Sequence, residues 1–119
     1  PEIPTEVLDK FKGSDLLGRS YEQLLPFVSP KDARAFVVVE ADFVTLDSGT
    51  GIVHMAPAFG EDDYQIGKME QLAFFKPVDA NGQFTAEIAP WAGLHVKKAD
   101  KKIIHGMRDA ALLPVREAE

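Results

Sequence analysis

The 119 residues fit one domain, expected to span 1–119, and 45% apolar with 27% charged residues is an ordinary globular balance. A formal net charge of −6 excludes the chain-wide basic field of a protein that coats DNA, although a local patch can still meet a few RNA phosphates. With no cysteine there is no disulfide framework, thiolate metal site or cysteine nucleophile, and no apolar run approaches the roughly 20 residues that span a bilayer.

The opening Pro1-Glu2-Ile3-Pro4-Thr5-Glu6 has neither the basic nor the apolar part of a signal peptide and no initiator Met. The chain therefore reads as an excised piece of a larger cytoplasmic protein. Glu6 to Lys12 is a candidate short helix ended by Gly13, and Leu16 to Tyr21 a short strand closed by Pro26 and Pro30. Ser29-Pro30-Lys31-Asp32 is a turn. Ala35 to Leu46, rich in Val and Phe, predicts a strand bent near Glu40-Ala41-Asp42. After the turn Asp47-Ser48-Gly49, Thr50 to Met55 predicts its hairpin partner, ended by Pro57.

Glu61, Asp62 and Asp63 suit a helix first turn, where carboxylates face unpaired N–H groups, so a helix is predicted over Glu61 to Leu72 with Ile66, Met69 and Ala73 as its apolar stripe. Phe74 to Val78 and Gln83 to Ile88 predict a second hairpin around Asn81-Gly82, with Asp79 and Asn81 as turn residues. Trp91 is expected to anchor a core or loop beside Pro90. A short strand, Leu94 to Val96, would point His95 outward. A second helix is predicted from Ala99 to Leu113, stopped by Pro114, with Ile103, Met107 and Ala110 on its inner face. These elements predict a mixed β fold with helices, a small antiparallel or mixed β-barrel-like domain, possibly incomplete.

Chemistry concentrates in Gly49 to Tyr64, where a strand delivers His54 near its end, a Pro/Gly turn follows, and a helix opens on carboxylates. Three uses are open: a metal site from His54, Asp62 and Asp63, general acid–base catalysis by His54, or substrate recognition by a carboxylate and the imidazole. Adjacent carboxylates diverge on a helix and no second His lies at ligand spacing, which disfavours the metal. The plain alternative is helix capping by the three acids with His54 as a satisfied inward residue. Lys97, Lys98, Lys101 and Lys102 form the main basic cluster, either a solvated helix face or a phosphate contact.

The run GTGIVHMAPAFGEDD, Gly49 to Asp63, resembles the editing domain inserted into class I synthetases for branched aliphatic amino acids, in its isoleucyl version. Valyl and leucyl relatives share the GTG and the proline but usually differ at His54 and Phe59-Gly60. Looser similarity covers Lys12 to Gly18, the strand before Asp47, Pro77 to Gly82, and Trp91 to Ile104, most of the chain.

The resemblance implies hydrolysis of valine from tRNA for isoleucine, at a site beside the tRNA 3′ acceptor end. One missing methylene cannot be rejected well by binding alone, and isoleucyl-tRNA synthetase is itself the usual illustration of that double-sieve logic. It implies Asp63 as anchor of the α-amino group, His54 as a specificity residue of the side-chain pocket, and Ala56, Pro57 and Phe59 as pocket floor. Water would be positioned by backbone groups and a ribose hydroxyl. Lys97, Lys98, Lys101 and Lys102 would be tRNA contacts. No cofactor or metal is expected in this domain, ATP and magnesium belonging to the parent catalytic core. The partners implied are the tRNA end and the rest of the parent synthetase, with no membrane and no DNA. The family's upstream strand of the form TTxPWT has no counterpart here, so the likeness is to the later portion of the domain, and a free piece is expected to hydrolyse poorly or not at all. The mechanism requires His54 and the helix's opening carboxylate to face one small cavity. A non-catalytic module that binds the acceptor end or an amino acid analogue is the alternative.

Overall fold

A computed structural model describes residues 3–112. Its regular elements are helices: a 3₁₀ turn at Gly13–Leu16, α1 at Glu61–Met69, a 3₁₀ turn at Ala89–Trp91, and α2 at Val96–Asp109. Among the described residues there is no strand and no sheet, only isolated β-bridges. The barrel-like domain expected from the sequence is therefore not the fold.

Local bonding explains the lost hairpin. Phe36 sits at φ 53°, a left-handed backbone that an extended strand cannot contain, one residue into the predicted run. The Val44 N–H then donates to the Ala41 carbonyl at 3.1 Å, so the expected bend is a full turn that splits the run. On the other side, the Thr50 hydroxyl accepts from Ile52 N–H at 3.3 Å and donates to its carbonyl at 3.1 Å, a local closure that competes with a ladder. What pairing remains is short. Ser20 bridges Val37, Arg34 bridges Leu72 in parallel, Val78 bridges Phe84, and Gln83 bridges His95.

The Asn81-Gly82 turn forms as expected. Asp79 Oδ1 accepts from the N–H groups of Asn81 and Gln83 at 2.9 and 3.0 Å, and Gly82 takes φ 75°. The segment is then carried onto α2, because Phe84 N–H reaches the Leu94 carbonyl and Val96 N–H the Gly82 carbonyl. His95 is thereby the N-cap of α2, not an outward strand residue: its Nδ1 accepts from Lys97 N–H at 3.2 Å.

Two helix boundaries differ from the sequence expectation. α1 stops at Met69 because Gln71 turns left-handed at φ 54° and Leu72 N–H closes on the Gly67 carbonyl at 2.8 Å. α2 starts three residues early and stops at Asp109 the same way, with Ala111 at φ 56° and Leu112 N–H on the Met107 carbonyl. Leu113 and Pro114, the predicted end of that helix, lie outside the described residues. The candidate helix over Glu6 to Lys12 is absent, and Gly13 opens a 3₁₀ turn instead of ending one.

Burial is thin. Among the described residues Ile88 and Ala99 are the buried apolar side chains, and Trp91 anchors the loop as expected, edge-on to Phe27 at 5.2 Å and tilted to Phe84 at 6.3 Å. The radius of gyration is 16.6 Å, against about 13.5 Å for a compact chain of this length. No helix among the described residues is long and apolar enough to cross a membrane.

Candidate functional site

The Pro/Gly segment between residues 55 and 61 is tied to α1 at three points. Phe59 N–H closes a turn on the Ala56 carbonyl at 2.9 Å, and Tyr64 N–H bonds the Gly60 carbonyl at 2.8 Å, starting the helix. Asp63, third residue of α1, reaches back past the N-cap: its Oδ2 accepts from Ala56 N–H at 2.9 Å. That bond satisfies a backbone donor which has no ladder partner. The same carboxylate lies in the positive field of the helix N-terminus together with Glu61 and Asp62. Asp63 is half-buried, and its Oδ1 has no hydrogen-bond partner among the described residues. A carboxylate accepts through both oxygens, so a second, cationic donor can be taken without breaking the first bond.

Deeper in α1, Gly67 is buried against the proline of the turn. A Cβ built on Gly67 would lie 2.9 and 3.0 Å from Cβ and Cγ of Pro57. Asp63, Ile66 and Glu70 are half-buried around Gly67; of the predicted stripe Ile66 and Ala73 are half-buried and Met69 is exposed. The packing of Gly67 on Pro57 is the third tie to the segment; Glu70 ties the end of α1 to Arg34 instead, its Oε2 pairing with Arg34 Nη1 at 2.6 Å while the same nitrogen donates to the Glu70 carbonyl at 3.0 Å.

The predicted site residues are only partly gathered. Ala56 and Asp63 are joined directly. Pro57 and Phe59 line an open hollow of about 530 Å³ with Tyr64, Phe74, Glu61 and Lys76. Tyr64 and Phe74 meet edge to face at 6.2 Å, and Lys68 lies 5.8 Å from the Tyr64 ring centre. Neither His54 nor Asp63 lines this hollow. His54 is exposed on the approach to the turn and is not hydrogen-bonded to Asp63. Among the described residues, no three His, Asp or Glu side chains form a metal-ligand group. Lys97, Lys98, Lys101 and Lys102 are all exposed on α2. Sequence reasoning missed Gly60, Gly67, Tyr64 and Phe74. The available signal was a lone glycine inside a helical stretch, which costs helix stability unless something packs against it.

Comparison with known proteins decides the family. The isoleucine–tRNA ligase of Clostridium acetobutylicum is 53% identical over 108 residues, which is 91% of this chain. That of Thermoplasma volcanium is 53% identical over 108 residues, and that of Tetrahymena thermophila 45% identical over 115. The chain belongs to the isoleucyl-tRNA synthetase family. It spans about a tenth of the length of the curated relatives it matches, and so corresponds to one segment of a synthetase. No family model matches the chain. The relatives are ligases by name, and GTGIVHMAPAFGEDD, with its Asp63–Ala56 tie, is part of this synthetase segment.

Proposed function

We propose that this segment serves post-transfer editing in an isoleucyl-tRNA synthetase, hydrolysing the ester that joins valine to the terminal ribose of tRNA for isoleucine. The observation that carries the reading is the state of Asp63: one oxygen committed to Ala56 N–H, the other without a partner among the described residues, at a helix N-terminus beside a tight turn. A fixed anion with a spare acceptor suits the α-ammonium of an aminoacyl ester, and the charge makes that hydrogen bond stronger than a neutral one. Anchoring the ammonium sets the position of the ester, and positioning supplies much of a hydrolytic rate. Pro57 and Phe59, which line the hollow beside the turn, form the floor of the side-chain pocket, while His54 and Ala56 stand outside that hollow. Water attacks the ester carbon, the ribose oxygen leaves, and no protein nucleophile takes part.

Valine release from valyl-tRNA for isoleucine, by this chain and by a full-length ligase carrying the segment, tests the proposal with and without Asp63→Ala. Release that depends on Asp63 is expected from the ligase. Release indifferent to the substitution would reject the role of Asp63.

A second reading has its own observation. The four lysines of α2 are exposed and have no ion-pair partner among the described residues, which suits a module that holds the acceptor end without hydrolysing it. An affinity for tRNA that falls steeply with salt, and falls again when Lys101 and Lys102 are made Gln, favours that reading if no valine is released.

A further inference from the structure

We propose that Gly60 and Gly67 are positioning residues for Asp63, and that the missing side chains at these two places set where its free oxygen stands. This inference rests on the reading of Asp63 as the anchor for the substrate ammonium. Gly60 clears the carboxylate itself. A Cβ there would lie 3.2 Å from Asp63 Cγ and 3.3 Å from Oδ2, in the space the carboxylate crosses to reach Ala56 N–H. The Gly60 backbone, at φ −145°, is open to any residue, so the demand for glycine is one of room.

Gly67 clears the helix. Its Cα faces the Pro57 ring, and an added methyl at 2.9 and 3.0 Å would meet a rigid ring on a turn already closed by the Ala56–Phe59 hydrogen bond. Neither neighbour is the loose end of a flexible side chain, so α1 itself must shift. Asp63 lies one turn nearer the start of the same helix and on the same side, and it moves with α1. In an ordinary helix interior, Gly to Ala is favourable by about 1 kcal/mol, so a loss at Gly67 has to come from this contact. The two glycines therefore act on one carboxylate from two sides, and the Ala56 N–H reports its place.

The test uses a full-length isoleucine–tRNA ligase carrying this segment, with Gly60→Ala and Gly67→Ala made separately. For valyl-tRNA deacylation, each variant is expected to raise KM about tenfold, with a loss in kcat beside it. Hydrogen exchange of the Ala56 amide in this chain is read alongside, and is expected to quicken about tenfold in both variants. Should Gly67→Ala fail to fold, Gly60→Ala carries the test, since it leaves the packing on Pro57 untouched.

A ligase that edits normally with unchanged KM in both glycine variants overturns the positioning role and leaves the proposed function standing. So does a loss in kcat alone that tracks the melting temperature. A wild-type ligase that releases no valine ends the editing reading instead. The Ala56 amide then decides the geometry, unchanged exchange in both variants overturning it and faster exchange supporting it.

Discussion

At Asp63 two roles share one side chain, and the two oxygens separate them. Asp63→Asn keeps a carbonyl oxygen for Ala56 N–H and discards the charge, whereas Asp63→Ala discards both. The alanine variant is expected to lose about 1 kcal/mol of stability, in the range of a lost helix-terminal side-chain bond, while the asparagine variant stays within about half of that. Both are expected to lose editing alike. Chemical denaturation and valine release on the same three proteins check this, and an asparagine variant that edits normally would remove the ammonium from the account. The acidic first turn and the Asp79 turn were legible because their partners lie within a few residues. The target of Asp63 was not: Ala56 N–H is seven residues away, across a turn whose path only the three-dimensional structure gives. His54 shows the same limit. Its place in the chain beside the motif was plain, yet the hollow next to that motif is lined by aromatic residues and not by the imidazole.

At the scale of elements, the start of α1 was plain, that of α2 was placed three residues late, and both ends were placed too far on. Both helices close with a left-handed residue that is not glycine, Gln71 and Ala111, so the usual glycine signal was missing. Left-handed backbone strains an L-residue, and Gln71→Gly is expected to stabilise the chain by about 1 kcal/mol, the strain relieved exceeding the added chain entropy of glycine. A higher urea midpoint with an unchanged slope is the result to look for. The Arg34–Glu70 pair is about two-fifths exposed on each side. Arg34→Ala is therefore expected to cost at most about 1 kcal/mol, and less in high salt. Strands failed as a prediction for a different reason. Val- and Phe-rich runs record a fit to a pleated, half-buried surface, and that fit needs neighbouring strands. Here Phe36 and the Ala41–Val44 turn break the run before any neighbour is met.

For the molecule as a whole, the exposed apolar residues and the expanded radius belong together. Leu8, Leu46 and Met69 are more than three-quarters exposed, and two buried apolar side chains among the described residues make a slight core for this length. In solution the chain is expected to scatter with a radius of gyration nearer its 16.6 Å than the roughly 13.5 Å of a compact protein, and to bind a hydrophobic dye. A compact radius and no dye binding would contradict this description. The family was legible without the fold, because fifteen consecutive residues from Gly49 to Asp63 carry it regardless of how their neighbours pair.

The most direct test of the central claim compares two esters on a full-length isoleucine–tRNA ligase carrying this segment: valyl-tRNA, and the analogue whose α-ammonium is replaced by a hydroxyl. The account predicts a strong preference for the ammonium ester in the natural protein and near-equal handling of the two by Asp63→Asn. Equal handling of both esters by the natural protein, or a preference that survives the substitution, would contradict it.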